Sequence, residues 1–146
     1  MLKIPIDILI VDDEEDFVEM LSLRLADEGH KVRAAHSGEE GLSLLEEAES
    51  DVVILDIRMP GMDGVTALKT IKKRHPAVEV ILLTGHGTID TAVDGLKAGA
   101  FDYVQKPAKF DEMLAKLAAA RDRKAESEER LRRAEARALM RHSGDV

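Results

Sequence analysis

Cysteine and tryptophan are absent from this chain of 146 residues, and it has only one tyrosine, three phenylalanines and four prolines. Without cysteine there is no disulfide, no zinc–thiolate site and no thiol nucleophile. No apolar run approaches the roughly 18–20 residues that span a bilayer, and the basic and long apolar segments of a secretory signal are missing. The sequence therefore predicts a cytoplasmic protein with no membrane contact. A net charge of −8 argues against direct nucleic acid binding through phosphate neutralisation. That charge is uneven, because residues 121–141 hold eight Lys/Arg against five Asp/Glu. An acidic domain is followed by a segment of different character.

What is present suffices for one domain with a full core, at 45% hydrophobic and 34% charged residues. The chain is organised around residues 51–56, where Val52, Val53, Ile54 and Leu55 run without alternation into Asp56. Such a run reads as a parallel strand buried on both faces. Asp56 then stands at its carboxyl end, the binding edge of an open α/β sheet. A Pro/Gly-punctuated loop from Arg58 to Gly64 follows.

A second buried strand, Ile8 to Val11, closes on Asp12 and Asp13. Glu14 to Glu28 reads as a helix with Phe17 or Val18, Leu21 and Leu25 inward and an acidic first turn, stopped by Gly29. Lys31 to Ala35 is a short strand. Ser37 with Glu40 makes a capping box before a helix whose expected inner stripe is Leu42, Leu45 and Ala48. Val65, Leu68 and Ile71 mark a third helix that ends at His75-Pro76. Residues 78–84 form a strand, Ile89, Val93 and Leu96 a fourth helix, and residues 101–104 a last strand before Lys106-Pro107. Five strands alternating with five helices predict an α/β fold, a doubly wound five-stranded parallel sheet in the flavodoxin-like order 2-1-3-4-5. From Ala108 to about Arg141 nothing breaks a helix, and a continuous one would reach roughly 50 Å. Leu114 and Leu117 can pack on the sheet. A heptad through Arg121, Lys124, Glu128 and Leu131 is mostly charged, so a solvated helix, a linker and a weak dimer strut all stay open. The expected division is a domain over 1–120 and a helical extension over 121–146, disordered at its end.

The predicted topology gathers Asp12, Asp13, Asp56, Thr84 and Lys106 at one sheet edge. Taken singly, each has an ordinary explanation: a solvated turn, a helix cap, a β-former, a surface charge. Together they differ, because three clustered carboxylates repel unless a cation joins them. Mg²⁺ suits one or two carboxylates plus phosphate. Lys106 offers a compact charge for phosphoryl oxygens and Thr84 a hydroxyl donor. An aspartate can form an aspartyl phosphate, and phosphoryl transfer asks mainly for positioning and neutralised charge. Transient phosphorylation of Asp56 fits the set.

Over residues 5 to about 120 the chain resembles the receiver domain of two-component response regulators. The resemblance rests on Ile8-Leu-Ile-Val-Asp-Asp13, Asp56-Ile-Arg-Met-Pro-Gly-Met-Asp-Gly64, Leu83-Thr84-Gly85 and Lys106-Pro107. It implies a phosphoprotein, not an enzyme beyond its own phosphorylation and dephosphorylation. Asp56 would be the phosphoacceptor, with Asp13 and Asp56 binding Mg²⁺ directly, Asp12 mostly through water, and the Arg58 carbonyl as a further ligand. Lys106 and Thr84 would contact the phosphoryl group, Lys106-Pro107 would be cis, and Tyr103 would switch with Thr84. Arg58 and His86, two residues beyond Asp56 and Thr84, are expected to tune dephosphorylation, although His86 could equally be an ordinary loop residue. The implied partners are a histidine kinase or phosphotransfer protein, and a downstream protein or output domain. The face of the fourth helix, fifth strand and fifth helix would change for them, and that face or the C-terminal helix could form a homodimer. Residues 83–88 and 98–103 look like receivers of NtrC-type transcriptional activators. A single-domain regulator and a receiver fragment both remain open, as no helix-turn-helix or ATPase pattern is found.

Competing functions fit less well. A phosphatase of the haloacid dehalogenase type needs an acidic residue where Arg58 stands. A nucleotide switch needs a P-loop that the sequence lacks. A dimerisation module built on the long helix leaves the acidic cluster unexplained.

Overall fold

The two apolar runs predicted as buried strands lie in the middle of the sheet. The structure, a computed structural model, describes residues 4–59, 61–85 and 89–144. Its strands are β1 (Asp7–Val11), β2 (Lys31–Ala35), β3 (Val52–Asp56), β4 (Glu79–Thr84) and β5 (Asp102–Gln105). Its helices are α1 (Glu15–Asp27), α2 (Gly38–Glu47), α3 (Gly64–Arg74), α4 (Ile89–Lys97) and α5 (Phe110–Gly144). The sheet is parallel in the order β2-β1-β3-β4-β5, as the alternation of elements predicts.

Strand residues alternate between two cores, since successive side chains point to opposite faces. Leu9, Val11, Val53, Leu55, Val80 and Leu82 pack with Leu42, Leu45, Leu68 and Ile71. Ile8, Ile10, Val52, Ile54, Ile81 and Leu83 pack with Val18, Leu21, Leu25, Met113 and Leu117. Register then sets the functional edge. Val11 lies opposite Leu55, so residues 12 and 56 leave the sheet side by side. Asp56 lies opposite Leu83, and Thr84 opposite Gln105, which brings Thr84 and Lys106 to the same edge.

One helix face differs from the expected inner stripe, and another buries its small residues rather than its large ones. Ala48 is exposed and ends α2 as an extended cap residue, so the inner stripe is Gly41, Leu42 and Leu45. In α4 the side chains of Val93 and Leu96 are exposed, and Ala92 and Gly95 are buried instead. The reason is close approach: a Cβ at Gly95 would lie 2.3 Å from Leu82 Cδ1, so the glycine lets α4 seat on β4 without displacing that side chain. In α3, Leu68 and Ile71 are buried as expected while Val65 is half-buried.

Ser37 caps α2 by accepting the Glu40 N–H at 3.1 Å. The Glu40 carboxylate reaches the N–H of His36 rather than of Ser37, at 3.1 Å. The far end of α2, with no basic residue in its last turn, is held by Arg33 of β2. The Arg33 guanidinium donates to the carbonyls of Leu44 (2.9 Å) and Ala48 (2.6 Å) and to Ser50 Oγ (2.9 Å). These charge-assisted bonds satisfy carbonyls that the helix itself leaves open. Arg33→Ala should therefore cost about 1–3 kcal/mol in urea unfolding, with Arg33→Lys recovering only part. An unchanged midpoint in Arg33→Ala would show that water serves those carbonyls equally well.

α5 packs through Met113, Leu117 and Ala120, with Leu114 half-buried. Charge takes over one turn later, where the Lys124 ammonium is 2.9 Å from Glu128 and 3.5 Å from Asp51 at the start of β3. Beyond Arg130 the helix is exposed up to Arg141, apart from a half-buried Ala138, with Leu131, Leu139 and Met140 in solvent. Residues 145 and 146 lie outside the described ones.

Candidate functional site

The edge predicted from the strand ends is a buried charge cluster. Asp12 is fully buried, Asp56 is 7% exposed, and Asp13 is exposed. Carboxylate oxygens from the three lie within 4.8 Å of one another, the one such metal-capable group among the described residues. The two buried ones are fixed by local chain geometry. Asp12 Oδ1 accepts the N–H of Glu14 at 3.0 Å, and Asp56 Oδ1 accepts the N–H of Arg58 at 3.1 Å. Both contacts span two residues, the short-range turn that aspartate favours.

Lys106 enters from the end of β5. Its ammonium is 2.8 Å from Asp12 Oδ2, 3.1 Å from Glu14 Oε1 and 3.7 Å from Asp56 Oδ2. Its N–H donates to the Thr84 carbonyl at 2.6 Å, and the Lys106-Pro107 peptide is cis, as the resemblance implies. Thr84 ends β4 fully buried, and its Oγ1 has no hydrogen-bond partner among the described residues. A buried hydroxyl without a partner is costly. It leaves a buried donor at the end of β4, on the same sheet edge as the acidic cluster.

Burial pushes the Asp56 carboxyl up to about 6, and the Asp12 charge adds to this, while the Arg58 N–H and the Lys106 charge pull it back. The Lys106 ammonium goes the other way. Burial alone would lower its pKa, but hydrogen bonds to Asp12 and Glu14 and the charges of Asp12 and Asp56 raise it. Two buried carboxylates and an exposed one, held this close with one lysine ammonium among them, leave an excess of negative charge that a small divalent cation relieves.

The other expected positions are less central. Tyr103 lies on the edge strand β5, half-buried and packed on the core. Lys116 of α5 donates to its carbonyl at 2.6 Å and stands 5.4 Å from its ring centre. Arg58 contributes its backbone N–H, and His86 lies outside the described residues. Sequence reasoning missed Glu14 as a partner of Lys106. Its place in an acidic first turn already had an explanation in the helix dipole.

Comparison with known proteins decides the family. The response regulator receiver domain model matches residues 8–118. The chain belongs to the response regulator receiver family. It is 46% identical over 114 residues to a putative NtrX-like response regulator of Rickettsia bellii, covering 77% of this chain and 24% of that protein. It is 45% identical over 106 residues to the regulatory protein AtoC of Escherichia coli, covering 73% of this chain and 23% of that protein. The crystal structure of the NtrX receiver domain from Brucella abortus superposes with a TM-score of 0.77 at 38% identity, covering 80% of this chain and 98% of that one. Longer NtrX from the same organism gives 0.81 at 36% identity, over 86% of this chain and 29% of that one. The receiver chain thus spans about a quarter of the length of these curated relatives. They accord with the NtrC-type kinship expected from residues 83–88 and 98–103, and the order 2-1-3-4-5 is that of the receiver fold. No helix among the described residues is long and apolar enough to cross a membrane.

Proposed function

We propose that Asp56 accepts a phosphoryl group from a histidine kinase or phosphotransfer protein and that its occupancy switches the receiver between two states. The observation that carries this is one buried edge holding a carboxylate nucleophile, a lysine ammonium and an unpartnered hydroxyl. An Asp56 carboxylate oxygen attacks phosphorus, the donor's P–N or P–O bond breaks, and an acyl phosphate results. Lys106 neutralises phosphoryl oxygens, and Thr84 Oγ1 gains in the phosphoryl group the acceptor it lacks. Asp13 and Asp56 directly, Asp12 mostly through water, and the Arg58 carbonyl would hold Mg²⁺, which supplies charge neutralisation for the transfer.

Movement of Thr84 toward the phosphoryl group frees space for Tyr103 to turn inward, a shift between pre-existing states. The readout face is α4, β5 and α5, where Val93 and Leu96 stand exposed. Arg58 and His86, each two residues beyond Asp56 or Thr84 in sequence, tune hydrolysis of the acyl phosphate. In the longer relatives the receiver makes up about a quarter of the chain. We take residues 1–120 as the switch and 121–146 as a helical linker toward an output domain or a second copy, in a cytoplasmic protein.

Intact-mass spectrometry after incubation with acetyl phosphate tests the core of this reading. One labile phosphoryl adduct is expected with Mg²⁺, and none without Mg²⁺ or in Asp56→Asn. An adduct that survives in Asp56→Asn would refute the assignment.

A further inference from the structure

Lys106 has more partners than a role toward a phosphoryl group requires. Its ammonium is closer to Glu14 Oε1 (3.1 Å) than to Asp56 Oδ2 (3.7 Å). On a further side lies Phe17, with its ring centre 4.6 Å from Nζ, a cation–π distance. Glu14 is the N-cap of α1 and Phe17 lies three residues on, so both lie at the same end of that helix, toward the end of β5.

The conformation of Glu14 is informative. An N-cap side chain ordinarily accepts a first-turn N–H, yet Glu14 makes no such bond. Its own N–H is taken by Asp12 Oδ1. The carboxylate is thereby directed to a lysine 92 residues away in sequence. The two neighbours of Lys106 also differ in what they lose without it. Asp12 is fully buried, and losing the ammonium would leave its charge without this counter-ion. The Glu14 side chain is 64% exposed, and water can replace the ammonium there.

We propose that Glu14 and Phe17 form a resting cradle for the Lys106 ammonium, a positioning pair that holds the lysine partly out of the phosphoryl site. This rests on Asp56 as the phosphoacceptor. A phosphoryl group offers Lys106 a stronger anion with three acceptor oxygens. The contacts to Glu14 and Phe17 then break, and the contact to the buried Asp12 persists. The cradle opposes phosphorylation and keeps the site from engaging before a phosphoryl group arrives.

The test compares the full chain with Glu14→Gln, Glu14→Asp and Phe17→Leu in two measurements. In metal-free, unphosphorylated protein, the Lys106 Cε and Hε NMR signals should carry an upfield ring-current shift from Phe17. That shift should vanish in Phe17→Leu, shrink in Glu14→Gln and be largely kept in Glu14→Asp. With Mg²⁺ and acetyl phosphate, Glu14→Gln should phosphorylate roughly two- to fivefold faster, the scale of an exposed charge pair. Phe17→Leu should change in the same direction. Lys106 signals that do not differ between the natural chain and Glu14→Gln overturn the cradle. So does a lowered thermal midpoint in the variants with unchanged Lys106 signals and rate, the mark of a purely structural role. If the natural chain takes up no phosphoryl group, the reading of Asp56 fails, and the Lys106 signals still decide the cradle.

Discussion

Asp56→Asn should be more stable than the natural chain in the absence of metal, by on the order of 2–3 kcal/mol at neutral pH. Burial holds the Asp56 carboxyl up at about 6 against 3.8 for the free side chain. Between those values the folded protein keeps a proton that the unfolded chain releases, so folded stability falls as pH rises through the window. Above it, folding must bury a charge beside Asp12 that Lys106, 3.7 Å from Asp56, offsets only in part. Asparagine keeps the shape and an acceptor for the Arg58 N–H without that charge. In urea unfolding with a chelator, the gap between the two proteins should be near zero below pH 4 and complete by about pH 7. Added Mg²⁺ should close the gap from the other side, by stabilising only the natural chain. A gap that is flat with pH would mean that Asp56 is not the group that titrates. The same strain makes Asp56 a good candidate nucleophile, because a site that keeps a destabilising carboxylate has a use for it.

Most of this edge could be read from residue order. Unalternating runs ending in Asp12 and Asp56 mark buried strands that stop at a charge, and parallel topology then fixes where those charges go. Thr84 and Lys106 follow by the same argument, because in-register pairing carries one strand end to the next. Side-chain choices that depend on a particular approach distance were not legible. The rule that large apolar residues face inward favours Val93 and Leu96 in α4. The contact between Gly95 and Leu82 that reverses it exists only once helix and sheet have met. Arg33 reads as an ordinary strand residue, since the carbonyls it clamps come from the end of α2. Glu14 is hidden in the same way: its partner is remote in sequence, and a plausible local role already accounts for an acid there.

Gly64→Ala should damage stability and phosphorylation together, although residue 64 carries no side chain to any site. The first residue of α3 lies directly on the strand end that bears the nucleophile. A Cβ there would stand 2.6 Å from the Asp56 carbonyl oxygen, 2.6 Å from Ile57 Cα and 2.9 Å from the Ile57 oxygen. All three are backbone atoms, so no rotamer change relieves the clash. Reaching even the 3.4 Å edge of ordinary contact requires an opening of about 0.8 Å. That opening also stretches the Gly64 N–H bond to the Ile57 carbonyl, now 3.0 Å. Overpacking and a weakened buried hydrogen bond together should cost about 2–4 kcal/mol. The displaced backbone belongs to Asp56 and Ile57, and a misplacement near 1 Å can slow a positioned reaction by roughly 10²-fold. Gly38→Ala is the matched control, since the nearest atoms to its Cβ belong to the Met62 side chain, from 3.3 Å, rather than to backbone. It should cost less than about 1 kcal/mol and leave the phosphorylation rate unchanged. Urea midpoints, and adduct formation measured where Gly64→Ala is still folded, separate the two effects. Equal behaviour of the two variants would mean that α3 can back away from the strand without moving Asp56.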